Sequence, residues 1–456
     1  MPYIRELEPF IIKPVTETGW LPDLIYQNGA FQSGLAIFAD PSGRITRISN
    51  DSANATRLPG RALLPGLVNV HSHTFQRAIR GRTERRTADR DTFWTWRESM
   101  YRAANLVSPE AIYHVARMAF VEMLLSGITT VGEFHYVHHD SGGVPYSERN
   151  LTALAIARAA REVGIRIVLI RTAYVRAGFN KPPDPGQARF ITPHAEDFIA
   201  DTEALRNSVP VGVAPHSVRA VPLDYLRKIA DYARANQLPL HMHVAEQPAE
   251  IEACIAEYGR RPVELLRDES IIDHRFTAIH AIHITAQEAG FLSPATVCAC
   301  PTSERNLGDG AVPADQLYSA GARIAFGSDS NVQVNLLEDA RLLEYHLRMQ
   351  RLERAIIPDC ARTLFTSATR SGAASLQAPA GDLEPGRTAD FFTIDLNDLS
   401  VAGSTRDTLL DNIVFSLERT AIKEVAINGR LLVEDGRHPL QPEITREFAK
   451  VQEALW

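Results

Sequence analysis

Between residues 66 and 379, short apolar runs alternate with longer stretches of helical spacing. The first run, Leu67-Val68-Asn69-Val70, follows Pro65-Gly66 and ends in His71. Ser108-Pro109-Glu110 is a helix start: a capping hydroxyl, proline at the first helical position, then an early acid. This helix is expected to run to Gly127 as its C-terminal cap, and Ile128-Thr129-Thr130-Val131 follows as a strand. Further strand-like runs begin near Ile165, Val211, Pro239, Phe276, Ala295 and Arg323. Eight short apolar strands separated by helices predict parallel βα units closed into a (β/α)8 barrel. A doubly wound open sheet is the alternative, but no Gly-rich phosphate fingerprint follows the first strand.

The two ends of the chain have a different pattern, with alternating residues and tight turns. Asn28-Gly29 and Asp40-Pro41-Ser42-Gly43 punctuate the first 65 residues. Residues 389 to 395 read as a strand, and Asn428-Gly429 and Asp435-Gly436 mark hairpin turns after Glu424-Val425-Ala426-Ile427. The expected division is therefore 1–65 and 380–456 for one small β-sandwich domain, with 66–379 for the barrel. Ile444, Phe448, Val451 and Leu455 lie at helical spacing, so a terminal helix should pack by one face.

Composition narrows the function. The chain has 45% hydrophobic and 23% charged residues, ordinary for a globular enzyme, and a formal net charge of −7 without a basic stripe. That balance argues against nucleic acid as a partner. The N-terminal stretch from Met1 to Glu8 has no apolar core of signal-peptide length. No apolar run reaches the roughly 18 residues a membrane span needs. Four cysteines are too few for a disulfide framework, so no membrane association and a cytoplasmic location are expected.

The candidate chemistry sits where strands end, because polar side chains at the C-terminal ends of barrel strands share one mouth. Strand one ends in His71-Ser72-His73, two imidazoles facing one way. Strand five carries His241, His243 and, three residues on, Glu246; strand six holds His280; strand eight ends in Ser328-Asp329. Taken singly, each has a plainer reading: a surface pair, a hydrogen-bonded core histidine, a helix cap. Four such coincidences at four strand ends point instead to one divalent ion held by His71, His73, His243 and Asp329. Imidazole and carboxylate donors without thiolates suit Zn2+, although iron, manganese or nickel accept the same set. Such an ion lowers the pKa of a water from 15.7 toward about 7. Cys298 and Cys300 are left as buried small hydrophobes.

These motifs resemble the mononuclear deaminase branch of the amidohydrolase superfamily: His71-Ser72-His73 after Leu64-Pro65-Gly66, His243-Val-Ala-Glu246, His280 and Ser328-Asp329. Strand four, 211–217, lacks the lysine with which binuclear members bridge two ions, so one ion is expected. Residues 71–81, Phe93-Trp-Thr-Trp-Arg97 and 133–140 resemble, more narrowly, the formimidoylglutamate deiminase family of bacterial histidine degradation. The resemblance implies hydrolysis of N-formimino-L-glutamate to N-formyl-L-glutamate and ammonia. Asp329 would accept a proton from water, Glu246 would pass one to the leaving nitrogen, and His280 would orient the attacking oxygen. Gln76, Arg97, Tyr136, His216 and Arg219 would hold the dicarboxylate part of the amidine, arginine being the natural bidentate reader of carboxylate.

Arg80, Arg82, Arg171 and the loop at 181–186 remain without a role. Three alternatives stay open: a deaminase of a nucleobase or S-adenosylhomocysteine-like substrate, an amidase or lactonase with the same ion, and a barrel that only binds. A homodimer is expected by analogy alone.

Overall fold

A computed structural model describes residues 17–86, 89 and 91–456. The expectation about the N-terminal eight residues, and the first sixteen residues of the 1–65 segment, lie outside the described residues. Among the described residues, no helix is long and apolar enough to cross a membrane.

Eight parallel strands follow one another in chain order: β1 (Leu67–Ser72), β2 (Ile128–His135), β3 (Arg166–Ala173), β4 (Val211–Pro215), β5 (Leu240–Val244), β6 (Phe276–His280), β7 (Thr296–Ala299) and β8 (Arg323–Phe326). Helices or turns intervene, as the alternation of apolar runs predicted. Nearly every strand residue is buried, which parallel strands covered on both faces require. Inside the ring, Val70, Ile279, Cys298, Cys300 and Ala325 pack together. The two thiols are 3.9 Å apart and buried, consistent with a packing role.

The barrel closes between its first and last strands just past their ends. Asp329 N donates to His71 O at 2.9 Å, and His73 N donates to Asp329 O at 2.9 Å. Asn69 reinforces this seam from below: its amide nitrogen donates to Ser328 Oγ at 2.7 Å, and its oxygen accepts from Ser328 N at 3.0 Å. The side chain is fully buried, so Asn69→Ala would leave Ser328 N unsatisfied. A loss of about 2–3 kcal/mol in denaturant unfolding is expected. A loss below about 0.5 kcal/mol would show that the backbone bridges alone hold the seam.

The small β domain forms from both chain ends, as expected. Its eight strands belong to one mixed sheet in which Ala55–Pro65 pairs in parallel with Thr18–Gln27 and antiparallel with Phe391–Asp395. One face encloses a small core around Trp20 and Phe391, whose ring centroids are 5.1 Å apart; the other merges with the barrel core. The Asn-Gly and Asp-Gly hairpin signals fold as read, with left-handed φ at Asn28 and Gly29 (53° and 80°), at Asn428 and Gly429 (51° and 66°) and at Asp435 and Gly436 (48° and 71°).

Two features join sheet to barrel. A Cβ on Gly66 would stand 2.2 Å from Thr129 Oγ1, so only glycine allows the chain to pass from sheet into β1. Arg166 at the start of β3 makes a forked ion pair with buried Asp390, each nitrogen 3.0 Å from an oxygen.

The helix Pro109–Leu124 starts where predicted, with Ser108 Oγ accepting from Ala111 N at 3.1 Å. It ends a turn before Gly127, which takes the left-handed φ (+77°) and lies against the Phe392 ring. The terminal helix Gln441–Leu455 packs on this helix through Phe448.

Candidate active site

The three histidines and the aspartate expected at the strand ends converge. His71, His73, His243 and Asp329 each offer one ligand atom, all within 4.8 Å of one another. His71 Nε2 is 3.0 Å and His73 Nε2 3.4 Å from Asp329 Oδ1. The His73 and His243 rings lie nearly parallel, 5.6 Å apart. Two of the three opposite ring nitrogens are tied down, His73 Nδ1 to Phe134 O at 2.9 Å and His243 Nδ1 to His216 O at 3.1 Å, while His71 Nδ1 has no partner among the described residues. A carbonyl can only accept, so in His73 and His243 the Nδ1 carries the proton and Nε2 keeps its lone pair for the cluster.

Burial holds these imidazoles neutral, with His71 lowered to about 3 and His243 far below its ordinary value. Burial alone would raise the Asp329 carboxyl, but His71, His73 and His280 outweigh it and keep it ionised. Three neutral nitrogens and a carboxylate, buried and convergent, form a set that fits a divalent cation.

Beside this cluster lies a chain of acids around His280. His280 Nδ1 is 3.2 Å from Glu304 Oε1, and its Nε2 is 3.8 Å from Glu246 Oε1. Burial disfavours charge on the ring, but Glu246, the bond to Glu304 and Asp329 override it and push its pKa well up. Burial likewise raises Glu246 against the pull of His280 and Arg219. Protons are therefore retained at this pair where free groups would have released them. His280, Cys300 and Glu304 also converge, but they are engaged with one another: Glu304 Oε1 accepts from Cys300 N at 2.9 Å and lies 3.2 Å from His280 Nδ1.

The backbone under these groups is unusual. Ala245, His280 and Asp329 take left-handed φ of 53°, 71° and 45°. Such conformations are costly for non-glycine residues and cluster where surrounding structure holds reacting groups in place. Ala245 N and Glu246 N both donate to Glu250 at 3.3 Å, which steadies the turn that aims Glu246. Burial pushes the Glu250 carboxyl up to about 7.

Above the cluster opens a cavity whose wall includes His73, His243, Glu246 and Asp329. All five residues predicted to hold substrate line it: Gln76, Arg97, Tyr136, His216 and Arg219. Gln76 lies on the short turn Thr74–Ile79 after β1 and donates to Tyr136 Oη at 3.2 Å. His216, one residue past β4, stacks on His243 with ring centroids 4.6 Å apart. Arg97 comes from the capped helix Phe93–Leu106, which folds over the mouth as a wall. Its guanidinium sits 4.6 Å from the Trp94 ring centroid, and that of Arg219 sits 5.7 Å away. Nε and Nη1 of both arginines, and Gln76 Oε1, are buried with no hydrogen-bond partner among the described residues.

A family comparison decides what kind of site this is. The amidohydrolase-family model matches residues 62–432, from the last strand before the barrel into the final strands of the small sheet.

The chain belongs to the amidohydrolase family.

This amidohydrolase is 37% identical over 449 residues to a formimidoylglutamate deiminase of Pseudomonas aeruginosa, with 95% of this chain and 97% of that protein covered. It is 30% identical over 389 residues to an 8-oxoguanine deaminase of the same organism, covering 82% of each. An amidohydrolase from Brucella melitensis has a similar crystal structure, with a TM-score of 0.90 at 34% identity over 96% of this chain and 99% of that one.

The amidohydrolase barrel also assigns the residues that sequence reading left open. Arg80 pairs with Glu122 and donates to Asn331 O at 2.8 Å, so it braces the loop after Asp329. Arg171 is fully buried between Asp201 and His138, at 2.8 and 3.1 Å. Arg82 lies at the surface beside Trp456. The loop at 181–186 leads into the turn Pro185–Phe190, whose Arg189 clamps His139 O, Ala104 O and Val107 O and so anchors the wall helix.

Sequence reading missed Glu304, Glu250, Tyr101, Tyr174 and Gln187. Glu304 and Glu250 fall in the first turns of helices, where acids are common for reasons of the helix dipole. The tyrosines and Gln187 carry no local signal.

Proposed function

We propose that this amidohydrolase is a metal-dependent deiminase of N-formimino-L-glutamate, releasing ammonia and N-formyl-L-glutamate in histidine degradation. One observation carries the reading. Two guanidiniums with unpartnered, buried N–H groups face the same cavity as the His-His-His-Asp cluster. An unpaired buried cation is costly, and a ligand with two carboxylates removes that cost twice. The 37% identity to a formimidoylglutamate deiminase over nearly the whole chain supports the same substrate.

A single divalent ion, zinc by its donor set, would be held by His71, His73, His243 and Asp329 and would make water acidic enough to ionise near neutral pH. The chain supplies the rest. Asp329 takes the proton from the attacking water and hands it on towards Glu246, whose raised pKa suits it to protonate the departing nitrogen. His280, charged and held by Glu304, donates a hydrogen bond to the oxygen as it adds to the formimino carbon. Arg97, Arg219, Gln76, Tyr136 and His216 grip the glutamate portion. The enzyme would work in the cytoplasm, as a homodimer.

The test combines metal analysis with ammonia release from formimidoylglutamate, cytosine, guanine and S-adenosylhomocysteine. About one ion per chain is expected, with turnover of the first compound alone. Chelation should abolish turnover and zinc should restore it. Turnover of only a ring substrate would overturn the assignment, and it would shift attention to the aromatic wall at Phe93, Trp96 and Tyr136.

A further inference from the structure

The hydroxyls of Tyr101 and Tyr174 enter the cavity wall from different elements, the helix Phe93–Leu106 and the residue after β3. They are 3.3 Å apart, and both accept hydrogen bonds from Gln187 Nε2, at 2.7 and 3.0 Å. The other end of that amide fixes its orientation: Asp184 N donates to Gln187 Oε1 at 3.2 Å, so the nitrogen faces the tyrosines. Asn105 Nδ2 binds Tyr101 O and Gly186 O, both at 2.8 Å, and ties the turn to the helix. Tyr101, Tyr174 and Gln187 are all buried.

Each phenol oxygen already receives an N–H from Gln187 and still owns one O–H to donate. The two oxygens share one O···O line, so one of the two protons can be given to the neighbouring tyrosine. The second has no protein acceptor among the described residues. A buried donor without an acceptor is disfavoured, and the cavity is the space left to it. Its neighbours there are also donors, since the Arg97 guanidinium stands 5.3 Å from the Tyr101 ring centroid and Arg97 and Arg219 have free N–H groups. A corner with two guanidiniums and a spare phenol proton suits an anion with several acceptor lone pairs.

We propose that Tyr101 and Tyr174, oriented by Gln187, are substrate-binding residues that donate a hydrogen bond to one carboxylate of the ligand alongside the arginines. They would thereby set the requirement for a dicarboxylate. The carboxylate belongs to formimidoylglutamate only if the substrate reading above holds, so the test separates the two.

Tyr101→Phe, Tyr174→Phe and the double variant keep both rings and remove hydroxyls one at a time. Each single variant retains one hydroxyl proton for the ligand. The double loss should therefore exceed the product of the single losses, reaching roughly ten- to hundredfold in kcat/KM, mostly through KM. Two formimino compounds, each lacking one of the two carboxylates, locate the contact. For the one missing the carboxylate read by the pair, wild type and double variant should agree within about threefold; for the other, the loss should persist. An equal loss with all three compounds would mean that the tyrosines only support the fold, and no loss would mean no contact.

Glutarate binding, followed by tryptophan fluorescence, is independent of turnover. Weaker binding by the double variant is expected. If wild type releases no ammonia from formimidoylglutamate but this weakening is seen, the substrate reading fails and the carboxylate subsite stands. Unchanged glutarate affinity would overturn the subsite. Gln187→Glu provides a second route, because its oxygens would capture both hydroxyl protons with the tyrosines in place, and it should weaken glutarate in the same direction.

Discussion

Replacing Asp329 with asparagine is expected to lower turnover by roughly 10³-fold or more while the fold survives. The carboxylate has two proposed tasks, to complete the cation site with three neutral imidazoles and to take the proton from water; an amide is a weak ligand and no base. The backbone has a separate role. Asp329 N and O bridge to His71 O and His73 N across the barrel seam, and its φ is left-handed at 45°. Asparagine tolerates that region as well as aspartate does, so the bridges should hold and the melting temperature should change by only a few degrees. Ammonia release, metal content and thermal unfolding of the same preparation separate these effects. Turnover within about tenfold of wild type would remove Asp329 as the base. Collapse of the fold would show that the carboxylate, through His71 at 3.0 Å, is structural first.

Arg219→Met should act on binding. The guanidinium is buried, its Nε and Nη1 have no protein partner, and it follows β4 by four residues, facing the cavity. Methionine fills a similar volume and leaves the substrate carboxylate without its cation, a loss of about 2–5 kcal/mol, roughly thirtyfold to several thousandfold. That loss should fall on KM, with kcat changed less than about tenfold. Arg219→Lys keeps the charge without the planar fork and should lie between. The free Met variant should be no less heat-stable than wild type, because no hydrogen bond from these orphan nitrogens is lost. An unchanged Michaelis constant would sink the role given to Arg219.

Much of this architecture follows from short-range pattern. Two-residue periodicity puts His71 and His73 on one side of a strand end, and a left-handed dipeptide such as Asn28-Gly29 turns a hairpin whatever surrounds it. A serine, a proline and an acid in series start the helix at Pro109. These depend on sterics and hydrogen bonds within a few residues, so the linear chain specifies them. The same logic exposed the metal-type cluster, because barrel strands all deliver their last side chains to one mouth.

What the linear pattern could not decide depends on neighbours far apart in the chain. Glu304 reads as an ordinary helix-start acid until β6 brings His280 within 3.2 Å of it. Residues 133–140 resemble a family motif, yet within them His138 braces buried Arg171 at 3.1 Å and Thr172 O at 2.8 Å. Gln187 meets Tyr101 across 86 residues. Above all, that Arg97 and Arg219 have no partner is a statement about every surrounding atom. Packing decides whether a polar group is satisfied, and packing exists only once distant segments have met.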